Sequence, residues 1–99
     1  MDYRLASPRE LAELVAKRAR ERRLRLRRSQ AGVAAAAGLS LPTYKRFEHG
    51  QDVGFNVVIK VTLALGCEEQ VAALFQPPAR RSIDEILEEQ RLPQRIRNR

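Results

Sequence analysis

The feature that most constrains this chain is a run of small residues held between two serines. Ser29 precedes Gln30-Ala31-Gly32-Val33-Ala34-Ala35-Ala36-Ala37, and Gly38-Leu39-Ser40 follows at once. Ser29 can offer its side-chain oxygen to the first-turn N–H groups of a helix, and Gly38 accepts the left-handed conformation in which helices end. The spacing therefore predicts a short helix over residues 30–37 and a second one starting after the cap at Ser40. Only about three residues connect the two. Such a joint keeps the helices side by side, and the alanines let a neighbouring helix approach closely. In the second helix, over about 41–49, Tyr44 and Phe47 are spaced to face inward together, and Gly50 closes it.

The flanking sequence is also helical. Ser7-Pro8-Arg9-Glu10 reads as a helix start with a capping box, and a long helix is predicted from about Pro8 to Leu26, with Leu11, Leu14, Val15, Ala19 and Leu26 on one broad face. Val57, Val58 and Ile59 favour strand by propensity. Periodicity decides for a helix, because Phe55, Val58, Ile59, Thr62 and Leu65 follow helical spacing and Gly66 stops the run. A fifth helix is expected over about 68–75, with Val71, Leu74 and Phe75 as its apolar face. Pro77 and Pro78 end the compact part. Ser82-Ile83-Asp84-Glu85 repeats the capping pattern, so a small helix carrying Ile83, Ile86 and Leu87 is expected before Pro93. The fold class expected is all-α, five helices with a short C-terminal extension, divided as a domain over 7–76 and a tail over 77–99.

Charge adds a partner class. The 99 residues carry 19 Lys and Arg against 12 Asp and Glu, for a net charge of +7, which points to a polyanion. Residues 1–50 hold twelve basic and five acidic side chains, whereas residues 51–99 hold seven of each, so the whole excess lies in the first half. Eight basic residues fall between Lys17 and Arg28. They wind around the whole helix, and most such runs are solvated faces, so a subset only is expected to meet phosphate. One cysteine, Cys67, and one histidine, His49, make neither an internal disulfide nor a closed zinc site. Neither has a catalytic partner in the sequence: Cys67 reads as a buried or half-buried small residue and His49 as a surface residue near a helix end. Glu68-Glu69 and Glu88-Glu89 are helix neighbours that point apart, and no nucleophile-base pair or phosphate loop is evident. The expectation is a non-enzymatic protein without cofactor or metal. No apolar stretch is long enough for a bilayer and no secretory signal opens the chain, so it is expected in the cytoplasm.

Five short helices with a Gly38-Leu39-Ser40 turn describe a helix-turn-helix module. Arg23, Leu26, Ser29-Gln30, Val33-Ala34, Ala37-Gly38-Leu39-Ser40, Tyr44, Phe47-Glu48, Gly50 and Ala64-Leu65-Gly66 stand in the order and spacing of one family. Over residues 20–66 the chain resembles the Cro/CI-type (XRE) helix-turn-helix proteins, which implies a lambda-repressor-like domain that binds double-stranded DNA. The resemblance implies base contacts at Leu41, Pro42, Lys45 and Arg46, with Arg46 suited to a guanine edge. It implies phosphate contacts at Ser29, Gln30, Ser40 and Thr43, to which Arg27 and Arg28 are added, standing where the family has a glycine and an apolar residue. Leu41 and Pro42 depart from the polar residues common there, so fewer bases are read by hydrogen bonds. Arg23 and Glu48 match a pair the family uses as an ion bridge between the first and third helices, and this pair is expected to be structural.

A domain of this size covers few base pairs, so a homodimeric repressor on a palindromic operator is the expected arrangement. The tail extends the resemblance. Leu74-Phe75-Gln76-Pro77-Pro78, then Arg81-Ser82-Ile83-Asp84-Glu85-Ile86-Leu87 and an end carrying Arg95, Arg97 and Arg99, is similar to HipB-type antitoxins encoded beside HipA-type kinase toxins. That likeness implies a kinase toxin as a partner and repression of a shared operon. Other readings stay open: a stand-alone Cro/CI-type repressor, of phage or host, without a toxin partner; for the tail, a dimer arm that packs Ile83, Ile86 and Leu87 on a partner subunit, or a mostly disordered segment; and an RNA-binding or coactivator protein on the same fold.

Overall fold

The computed structural model describes residues 2–78, 82–93 and 95–96, and within them every regular element is helical. A single 3-10 turn, Tyr3–Leu5, precedes α1 (Pro8–Arg25), α2 (Gln30–Ala37), α3 (Leu41–Glu48), α4 (Phe55–Ala64), α5 (Glu68–Ala72) and α6 (Ile83–Gln90). The capping signals act as expected. Ser7 and Glu10 form a reciprocal capping box, while Ser29, Ser40 and Ser82 accept from Gly32, Thr43 and Glu85 backbone N–H groups.

The helix ends share one device. After α2, the Leu39 N–H bonds Ala34 O at 2.9 Å and the Gly38 N–H bonds Ala35 O at 3.1 Å, with Gly38 at φ 69°. The same pair of bonds closes α3 at Gly50 and α4 at Gly66. It closes α1 too, with Arg27 N–H on Leu24 O and Arg28 N–H on Arg23 O, but there the left-handed position is held by Arg27 at φ 55°. A side chain beyond glycine adopts that conformation at a cost, and the chain accepts it at the turn leading into α2.

The core forms where α2 packs on α3 and α4, α1 on α3, and α5 on α4. Val33, Ala34, Tyr44, Phe47, Val61 and Leu65 make its buried centre, and the Tyr44 and Phe47 rings pack tilted with centroids 6.1 Å apart. Leu39, Leu41, Val57, Val58 and Cys67 pack around it, half-buried. Gly50 lets the end of α3 press against α1: a Cβ there would lie 3.2 Å from the Glu13 Cα. Between the first half of α1 and the loop before α4 an open groove of about 820 Å³ remains, lined by Leu11, Val15, Val53, Phe55 and Val58 among others.

Three expectations are corrected. α5 ends at Ala72 rather than near 75, where the Leu74 N–H turns back to Val71 O and the Gln76 N–H to Ala73 O; Phe75 lies at φ 62° and is 95% exposed, so it is no core residue. The buried line of α4 centres on Val61, and Phe55, at the mouth of the groove, is exposed. Along α1 the most buried apolar residue is Ala16, while Leu11 and Val15 stay exposed on the wall of the open groove and Leu26 stays exposed at the helix's C-cap. α6 forms where expected but buries none of its residues, so Ile83, Ile86 and Leu87 present an open apolar face. Arg81, Arg97 and Arg99 lie outside the described residues.

Candidate nucleic-acid interface

α3 divides cleanly into two faces. Tyr44, Phe47 and Glu48 are buried, and Leu41 is half-buried against the core. Pro42, Lys45 and Arg46 stand exposed on the other side, and among the described residues neither the Lys45 nor the Arg46 side chain is tied by a hydrogen bond or ion pair. Of the four residues expected to read bases, the fold thus presents three together, while Leu41 has only part of its side chain outside. Because the inner face is anchored by two packed aromatic rings, the outer one has a set orientation.

The helix starts add donors. Ser29 is exposed and takes the Gly32 N–H at 2.9 Å, which leaves the N–H groups of Gln30 and Ala31 without a partner among the described residues. Ser40 takes the Thr43 N–H at 3.2 Å and donates its own hydroxyl proton to Thr43 Oγ1 at 2.8 Å. The two open N–H groups at α2, the Leu41 N–H alone at α3, where Pro42 has none, and the positive end of each helix dipole suit an anion. Arg27, just before α2, is exposed and unpaired among the described residues. Arg28 is placed differently: half-buried, it donates from Nη1 to Ala64 O at 2.6 Å and so caps the C-terminal end of α4. Arg22 does the same for Leu65 O at 3.2 Å.

Beneath this surface lies the Arg23–Glu48 pair. Arg23 Nε donates to Glu48 Oε1 at 2.6 Å, and its Nη1 donates to Arg28 O at 2.9 Å. The Tyr44 hydroxyl gives Glu48 Oε1 a second bond at 2.8 Å, and Gln30 Nε2 reaches Oε2 at 2.7 Å. Burial alone raises the Glu48 carboxyl and is the largest single influence on it. The hydrogen bonds from Arg23, Gln30 and Tyr44, with the Arg23 charge, together outweigh it and hold the group below the ordinary glutamate range. The Glu48 bond makes Arg23 hold its proton more tightly than usual, and burial, then the bond to Glu48, pushes the Tyr44 phenol up. The ion pair was legible in the sequence. The parts played by Gln30 and Tyr44 were not, although Tyr44 stands four residues before Glu48, the spacing at which helix side chains meet.

Among the described residues no cluster of His, Cys, Asp and Glu is arranged to hold a metal ion, and no helix is long and apolar enough to cross a membrane. In comparisons with known proteins, residues 20–71, just over half of the chain, match the model of the helix-turn-helix family. No curated protein and no solved structure matches the chain.

Proposed function

Because the chain belongs to the helix-turn-helix family, a family of DNA-binding regulators, we propose that it acts as a homodimeric repressor on a palindromic operator. The observation that carries this reading is the split face of α3, which leaves Pro42, Lys45 and Arg46 outward while the opposite side is locked into the core. Arg46 reads a guanine edge, Lys45 and Pro42 complete the base contacts with the outer part of Leu41, and Ser29, Gln30, Ser40, Thr43 and Arg27 hold the backbone. Arg28 contributes chiefly by fixing α4. Half-sites in such a dimer lie about one helical turn apart, roughly 34 Å. The protein works in the cytoplasm on the nucleoid.

The finer reading is a HipB-like antitoxin that binds a HipA-type kinase toxin and represses the operon encoding both. Its support is the tail, where α6 carries Ile83, Ile86 and Leu87 on an open face. A stand-alone Cro/CI-type repressor is the alternative, with that face serving self-association. Operator selection from a random duplex pool, followed by mobility shifts with Arg46→Ala, tests the proposal. Arg46→Ala should lose discrimination at one base pair per half-site, by about 1–3 kcal/mol; unchanged selectivity removes Arg46 from readout.

A further inference from the structure

Gln30 occupies the first position of α2 and is half-buried, with Nε2 donating to Glu48 Oε2 at 2.7 Å. A carboxylate can only accept, so the nitrogen side of the carboxamide must face Glu48. The carboxylate is itself immobile: its other oxygen takes Arg23 Nε at 2.6 Å and the Tyr44 hydroxyl at 2.8 Å. Arg23 is fixed in turn through Arg28 O. Gln30 is the member of this network closest to solvent, next to the unbonded N–H groups at the start of α2.

We propose that Glu48 is a positioning residue for DNA, holding the Gln30 carboxamide so that its second Nε2 N–H is presented to a phosphate beside the N–H groups of Gln30 and Ala31. The inference rests on the DNA-binding reading above. A free glutamine would surrender side-chain freedom on binding, whereas this one has already surrendered it on folding. Glu48 belongs to the last turn of α3, so the backbone anchor on α2 and the outward face of α3 take their positions from one carboxylate. Register on the duplex and orientation of the reading helix are then set together.

The test uses the full chain and a mixed-sequence DNA duplex, because phosphate contacts are independent of sequence. Gln30→Ala should weaken duplex binding about threefold to tenfold, the worth of one hydrogen bond, and leave the salt dependence unchanged, because glutamine carries no charge. Glu48→Asp keeps a charge beside Arg23 but withdraws it from Gln30. It should weaken binding to a similar degree alone and add nothing in the Gln30→Ala background, with thermal unfolding confirming that each variant is folded at the assay temperature. If Glu48→Asp does not fold, Glu48→Gln takes its place in the same cycle. Wild-type affinity in Gln30→Ala or in the Glu48 variant, or an equal loss from the Glu48 change in both backgrounds, overturns the proposal. A wild-type chain that binds no duplex overturns the DNA-binding reading itself, a different result from any of these.

Discussion

The Arg23 guanidinium and the Glu48 carboxylate meet at 2.6 Å with side chains only 8% and 3% exposed, and the contact joins α1 to α3 across the core. Removing one partner strands the other charge, so Arg23→Ala or Glu48→Ala should each cost about 3–5 kcal/mol, read from urea unfolding. Replacing both with apolar residues of similar volume should cost far less than the two single losses combined.

Acid should act through the same carboxylate. The folded Glu48 group titrates below the ordinary glutamate value of about 4.3. Its contribution is therefore complete above that value, declines as the pH falls below it, and is gone beneath the lower folded value. Urea midpoints of wild type and Glu48→Gln, measured against pH, should show a gap that is constant near neutrality and narrows below about pH 4.3.

Arg27 holds the left-handed position that Gly38, Gly50 and Gly66 fill at the other helix ends. Arg27→Gly should raise stability by about 1 kcal/mol, seen as a higher thermal midpoint. Duplex affinity should move the other way, its salt slope dropping by about 1 for each phosphate that is no longer neutralised.

Two glycines with nearly the same φ should respond unequally. At Gly38 a Cβ meets nothing within 4 Å, whereas at Gly50 it would press on the Glu13 backbone and side chain. Gly38→Ala should cost about 1 kcal/mol from backbone strain alone. Gly50→Ala should cost about 1–3 kcal/mol more, because α1 must shift away from α3. Parallel thermal unfolding of the two variants measures the difference.

Truncation after Pro78 removes α6, which buries none of its residues. The midpoint of thermal unfolding should stay within the range of a surface change, about 0.5 kcal/mol. Analytical ultracentrifugation of the shortened chain then separates the tail's roles: weaker self-association marks a dimer arm, and intact dimers that fail to retain a kinase toxin mark a toxin-binding tail.

The start and end of α2, and the start of α3, were readable because the serine before each start and the glycine at the end of α2 act within a few residues of where they stand. Tyr44 and Phe47 were readable as core for the same reason, since a spacing of three on a short helix leaves one choice of face. Val61 was not, because a helix as apolar as α4 shows several candidate faces and packing against α2 chooses among them. Phe75 was expected on the apolar face of the fifth helix with Val71 and Leu74, yet its place depends on where α5 stops. In the interface, the exposed Lys45 and Arg46 follow from the inward pair. The capping of Ala64 O by Arg28 spans 36 residues, and nothing local announces it.

The arginines of this chain do two kinds of work that net charge does not distinguish. Arg22, Arg23 and Arg28 bond groups of the chain itself, a carbonyl, a carboxylate and another carbonyl, and Arg23 uses the separate arms of its guanidinium at once. Lysine at every arginine would preserve the +7 and its attraction for a polyanion, yet an ammonium on a flexible stem has no fork with which to bridge Glu48 and Arg28 O. The recoded chain would be equally basic and would lack the cross-links that give α3 its place.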